Sequence, residues 1–142
     1  MQPDDALAEK WQDARAHARI WTPAPTVMLT RIEGHVGLEA LRFYTLRADE
    51  LIHKHGRLYV FHHWSGITAW EPLVRDQLRK WAAGHDGHLP GTHFLIRSRM
   101  LSMAIEVAAL ALGRELHAHR SEATFFAELD RVVAQESASA SS

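Results

Sequence analysis

Apolar residues along the chain fall into short runs divided by glycine and proline, and their spacing switches between that of strands and that of helices. Arg19-Ile20-Trp21 and the longer run 26–36 are separated by Thr22-Pro23-Ala24-Pro25. Proline donates no amide hydrogen, so a continuous strand through that gap is excluded and an antiparallel pair is predicted, the second member ending at Gly34 and Gly37. Leu38, Leu41, Tyr44 or Thr45, Ala48, Leu51 or Ile52 and His55 recur at helical spacing up to Gly56, a left-handed stop. Leu58 to Phe61 is aromatic and β-branched, as a strand buried on both faces requires. The next helix begins near Trp70, because Pro72 is best tolerated in a first turn, and runs through Leu73, Val74, Leu78 and Trp81 to Gly84. A strand over 92–96 stops at Ser98, and residues 100–112 form a helix apolar almost all round. A last strand over 115–119 leads to Ser121, the N-cap of a final helix carrying Phe125, Phe126, Leu129 and Val133. Residues 4–14 suit a short helix, and the small polar stretch 135–142 suits a disordered tail.

After the first strand pair, helices and strands alternate, which implies parallel pairing through right-handed crossovers and an α/β domain. A chain of 142 residues fits one domain and buries roughly two-thirds of its unfolded surface. Composition then narrows the function. Apolar residues make up 46% and charged residues 23%, and 16 Lys plus Arg nearly balance 17 Asp plus Glu, which disfavours disorder and a nucleic-acid partner. There is no cysteine, so disulfides, thiolate metal ligands and a thiol nucleophile are excluded. The acidic start lacks the apolar core of a signal peptide, and no apolar run approaches the ~20 residues of a membrane span, so a cytoplasmic protein is expected.

Three stretches, taken in order, resemble the STAS family, the domains named for sulfate transporters and anti-sigma factor antagonists. Residues 26–37 look like that fold's leading strand ending in glycine; 58–68, LYVFHHWSGIT, look like its central strand and following loop; HAHRSEATFFAEL looks like its last strand and capped final helix. The resemblance covers about residues 18–134, with 1–17 as an N-terminal segment. It implies a four- to five-stranded, mostly parallel sheet with helices packed mainly on one face, no catalysis of its own and no cofactor. It also implies regulatory work done by docking onto another protein, a regulator or kinase-like partner.

In the family, a serine or threonine at the start of the helix after the central strand is phosphorylated, usually behind an aspartate. Setting Trp64 to Thr68 on the strand end puts Glu71 where the aspartate belongs and Pro72 at the acceptor position. Sliding the register so that Ser65-Gly66 takes that place would bury Pro72 inside a helix at ~3 kcal/mol. The expectation is therefore a divergent member without the phosphate switch. Trp64, Ser65, Gly66, Thr68, Trp70, Glu71 and Arg75 form its expected docking surface, one of the two tryptophans serving the core. Ser65 and Thr68 are the remaining candidate phosphoacceptors, although capping of their own loop explains them more simply.

Eleven histidines raise a metal hypothesis: His117 and His119 share a strand face, His62 and His63 end a strand, His53 and His55 close a helix, and His85 and His88 share a loop. No zinc spacing such as HExxH appears, so no metal site is assigned and the histidines are expected at the surface and at strand ends. WSG lacks the leading glycine of a GxSxG elbow, and GHVG and GHDG lack the spacing and lysine of a phosphate loop. The alternative to protein docking is the helix over 99–112. Its polar Ser102 and Glu106 form one narrow stripe, leaving apolar surface for a lipid or other apolar ligand, or for a homodimer.

Overall fold

The structure is a computed structural model and describes residues 3–99 and 115–141. The N-terminal segment is not the expected helix. One 3-10 turn, Asp5–Leu7, is capped by the Asp4 carboxylate accepting the Ala6 N–H at 3.0 Å, and strand β1, Glu9–Gln12, follows. Trp11 anchors β1 by stacking on Phe43 with ring centres 6.4 Å apart. The Asp13 carboxylate then accepts the N–H groups of Arg15 and Ala16, both at 2.8 Å, and turns the chain back. Those bonds hold Asp13 below the usual carboxylate range.

Strands β2, Ala16–Ala24, and β3, Val27–Val36, form the expected antiparallel pair. The excluded passage through Pro23 does occur. A register shift between Trp21 and Ala24 takes Pro23 out of the hydrogen-bond ladder, so its missing N–H is not needed there. Strands β4, Tyr59–His63, and β5, Ile67–Trp70, then follow one another along the same edge of β3, both parallel to it. Strands β6, Gly91–Leu95, and β7, Leu116–His119, continue outward from β4 in parallel.

The order is β1-β2-β3-β4-β6-β7, with β5 attached to β3. A mixed, seven-stranded sheet thus replaces the expected four or five mostly parallel strands. Both additions are short: β1 has a single apolar anchor, and β5 takes up Ile67 and Thr68, expected as loop, and Trp70, near which the helix was expected to begin.

Helix α1, Leu38–His55, ends as expected at Gly56, whose φ of 80° suits glycine and whose N–H returns to the Ile52 carbonyl at 2.7 Å. Helix α2 is Pro72–Gly84 and helix α3 is Glu122–Ser141. The helices do not gather on one face. Tyr44, Ala48 and Ile52 of α1 and Val74 of α2 pack over Met28, Ile32, Val36 and Val60. On the opposite face, Phe125, Phe126, Leu129 and Val132 of α3 cover Trp21, Leu29, Phe61 and Leu95. Burying each such side chain contributes about 1.5–3 kcal/mol, so the sheet is held from both sides.

The stretch expected to be a disordered tail instead continues α3 to Ser141. The Glu136 side chain, 2% exposed, accepts from the Thr26 hydroxyl at 2.7 Å and from Arg57 at 3.0 and 3.1 Å. These bonds tie the end of the helix to the β2–β3 turn and to the segment after α1.

Candidate functional site

The stretch 62–72 runs from a buried strand end to a helix start. His62 is fully enclosed, and its Nδ1 lies 2.7 Å from the Thr30 hydroxyl, which also accepts the Trp64 indole N–H at 3.2 Å. The indole can only donate to the Thr30 oxygen, and His62 Nδ1 is the one acceptor among the described residues within reach of the Thr30 hydroxyl hydrogen, which is assigned to it on that ground. Nδ1 is therefore unprotonated, and burial holds the ring's proton affinity well below its ordinary value. Trp64 stacks on His62 with ring centres 4.0 Å apart and meets Trp70 edge-on at 5.2 Å. Of the two tryptophans, Trp64 is the core residue at 6% exposure, and Trp70 is half-buried at the rim.

Gly66 accepts the Gly34 N–H at 3.1 Å through its carbonyl, and a Cβ there would come within 2.7 Å of Glu33 Cγ. Thr68 is exposed, and Ser65 is part-buried. The Glu71 N–H donates to the Val36 carbonyl at 2.9 Å, and Glu71 precedes α2 in an extended conformation, with Pro72 at the first helical position. The prediction for Pro72 therefore holds, and no hydroxyl occupies that position. The Glu71 carboxylate bonds Arg15 at 2.7 Å and lies so near Gly37, the N-cap of α1, that a Cβ there would come within 2.9 Å of its Oε1.

Because Val36 pairs with Trp70, the N-termini of α1 and α2 lie side by side. Two large apolar side chains stand out from them: Leu73 is 58% exposed and Leu38 is 38% exposed. Arg75 is exposed one turn into α2. Of the residues expected to dock, Thr68 and Arg75 are exposed, Trp70 and Glu71 are part-buried, and Trp64 lies in the core. Neither leucine was singled out from the sequence, where an apolar residue in a first helical turn reads as core.

His62 and His63 end β4 as expected, but both are buried, as is His93 within β6. His117 and His119 share a face as predicted, and His93 joins them there, with Nδ1 3.0 Å from His119 Nε2 and its ring stacked on Phe61 at 4.3 Å. Burial, with the neighbouring imidazoles, pushes His93 down to about 3. Among the described residues no three such side chains are placed to hold a metal ion.

His63 reaches α3, its Nε2 lying 3.2 Å from Glu122 Oε1, while its Nδ1 faces Ser65 Oγ at 3.4 Å. Burial and the nearby Arg31 hold His63 below its ordinary value, against the pull of Glu122. A cavity of about 30 Å³ lies beside the pair, lined also by Leu29, Arg31 and Phe126. A wider, open cleft of about 350 Å³ is lined by Thr26, His55, Arg57 and Glu136 among others. The apolar helix expected over 99–112 falls, beyond Arg99, outside the described residues.

No family model and no curated protein sequence matches the chain. Among solved structures it is similar to the crystal structure of an uncharacterized protein of the DUF3478 family from Shewanella loihica PV-4, which has a SpoIIAA-like fold. The TM-score is 0.60 at 8% sequence identity, over 86% of this chain and 91% of that one. The chain is thus a single-domain α/β protein with a SpoIIAA-like fold. That is the fold of the STAS domains, as the three stretches of sequence suggested. At such identity the likeness establishes the fold alone. Among the described residues no helix is long and apolar enough to cross a membrane.

Proposed function

We propose that the chain is a cytoplasmic regulatory module that docks onto another protein, a regulator or kinase-like partner, through the joined N-termini of α1 and α2. The observation that carries this is the exposure of Leu73 and Leu38 on a rigid base. Exposed apolar side chains on a surface fixed by core packing are a frequent mark of an interface. Here Trp64 fixes the surface from below through its edge-on contact with Trp70, and the Arg15–Glu71 pair fixes it from the side. In this reading Pro72 keeps the surface permanently in one charge state at the helix start, where a phosphate would otherwise add about −1.5 to −2 charges. The module is then governed by partner supply and not by phosphorylation at that position.

The test is affinity isolation from the native host with three baits: wild type, Leu73→Glu and Leu46→Glu. Leu46, 54% exposed on α1, is the control for adding a charge elsewhere. A stoichiometric protein lost only with Leu73→Glu supports the reading. Equal recovery with all three baits removes it.

A further inference from the structure

Ser65, His63 and Glu122 form a hydrogen-bonded line that docking leaves without a role. An ionised carboxylate only accepts, so the His63 proton sits on Nε2, facing Glu122, and Nδ1 is left as a base 3.4 Å from the Ser65 hydroxyl. Nucleophile, base and orienting carboxylate in that order are recognised by geometry and not by fold, and the nucleophile–base distance is often loose before a substrate binds. We propose that Ser65 is an activated nucleophile that takes acyl groups from small activated esters, with His63 as its general base and Glu122 as a positioning residue.

Three further observations agree. His63 is only 5% exposed and resists protonation, so at neutral pH it is free to accept a proton. The N–H groups of Ser65 and Gly66 make no hydrogen bond among the described residues, leaving two donors beside the hydroxyl for a developing oxyanion. The nearby Glu33 carboxylate is neutralised by Arg31 at 2.9 Å. Finally, the group lies beyond the carboxyl ends of the parallel strands β4 and β7, where open α/β sheets carry their sites.

In the reaction, His63 Nδ1 takes the hydroxyl proton as Ser65 Oγ bonds to the acyl carbon. The ester's C–O bond breaks, and the departing alcohol receives that proton. Water entering from solvent where the alcohol left, deprotonated in turn by His63 Nδ1, then cleaves the acyl-serine, releasing the carboxylic acid and restoring the hydroxyl.

The probe is an alkyl fluorophosphonate, since eleven histidines would cleave a nitrophenyl ester without any serine. Ser65 Oγ bonds to phosphorus, the P–F bond breaks, fluoride leaves, and the serine proton passes through His63 to solvent. Peptide mapping reads the stable adduct, with the exposed Thr68 of the same loop as internal reference. Ser65 is expected to label at least ~100-fold faster than Thr68, the usual scale of general-base assistance. The rate should rise to a plateau with a midpoint below about 6.5, the ordinary histidine value. Glu122 is 61% exposed, so Glu122→Gln keeps the packing; it should slow labelling and move the midpoint to lower pH, which a purely structural role would not do. His63→Gln, if folded by circular dichroism, should bring Ser65 down to the Thr68 rate. Ser65 labelling no faster than Thr68, or a midpoint unmoved in Glu122→Gln, overturns the assignment. Labelling needs no partner, so this assignment and the docking reading can fail separately.

Discussion

Replacing Thr30 by valine removes one hydroxyl and almost no volume from the support beneath the proposed docking surface. Thr30 is fully buried, and its hydroxyl serves both the Trp64 indole at 3.2 Å and His62 Nδ1 at 2.7 Å. Valine would leave a donor and an acceptor enclosed without partners. Each stranded group costs about 1–3 kcal/mol, and the added methyl contact offsets part of the sum, so a loss of about 3 kcal/mol is expected. In a domain of 142 residues that lowers Tm by roughly 10 °C. Urea unfolding followed by tryptophan fluorescence measures it, with an unchanged m value showing that the same transition is being compared. Thr30→Ser keeps the hydroxyl and should lose only about 1 kcal/mol. In the Thr30→Val background, His62→Phe removes the stranded acceptor and should recover part of the loss. A Thr30→Val protein within about 0.5 kcal/mol of wild type would refute the relay and the assignment of His62 as an acceptor.

Stability should fall in mild acid, because His62, His63, His93 and His119 are all held below their ordinary proton affinity, chiefly by burial. The unfolded chain then binds more protons than the folded one below about pH 6.5. Stability is level above that pH and declines beneath it, by about 3 kcal/mol at pH 5.5 from His62 and His93 together, whose folded affinities lie far below the ordinary value, with His63 and His119 acting in the same direction. Equal urea midpoints at pH 7.5 and 5.5 would contradict this. Glu136→Ala should free the end of α3, since the carboxylate's bonds to Thr26 and Arg57 hold it; amide exchange should quicken over 135–139 and stay slow over 125–132. Gly34→Ala should lose at least about 2 kcal/mol by thermal melting, because φ is 97° and the new Cβ would lie 2.3 Å from the Arg15 carbonyl oxygen.

The elements legible in the sequence are those fixed by local chemistry. Gly56 stops α1 through its own left-handed backbone, Pro72 starts α2 through its missing N–H, and Ser121 caps α3 by accepting the Ala123 N–H at 3.1 Å. What escaped depends on distant partners. The run 135–141 has a tail's composition, yet Glu136 folds it by reaching Arg57, 79 residues away, and Thr26, 110 away. Strand β5 is too short to declare itself, and it exists because β3 extends past β4 and offers it Gly34 to Val36. Ser65 lacks the elbow motif of a nucleophile, and its alignment with His63 and Glu122 arises only because α3 crosses the far face of the sheet, 59 residues after His63. The proposed docking surface draws on both kinds of signal. Its polar members lie in one stretch, whereas Leu38 joins through the pairing of β3 with β5.

The central claim, that the joined helix starts of α1 and α2 form the docking surface, is tested most directly by amide hydrogen exchange on the isolated complex with its protein partner. New protection confined to about residues 37–41 and 66–76 is the predicted result. Protection over α3 or the β6–β7 edge, with those two segments unchanged, would contradict it.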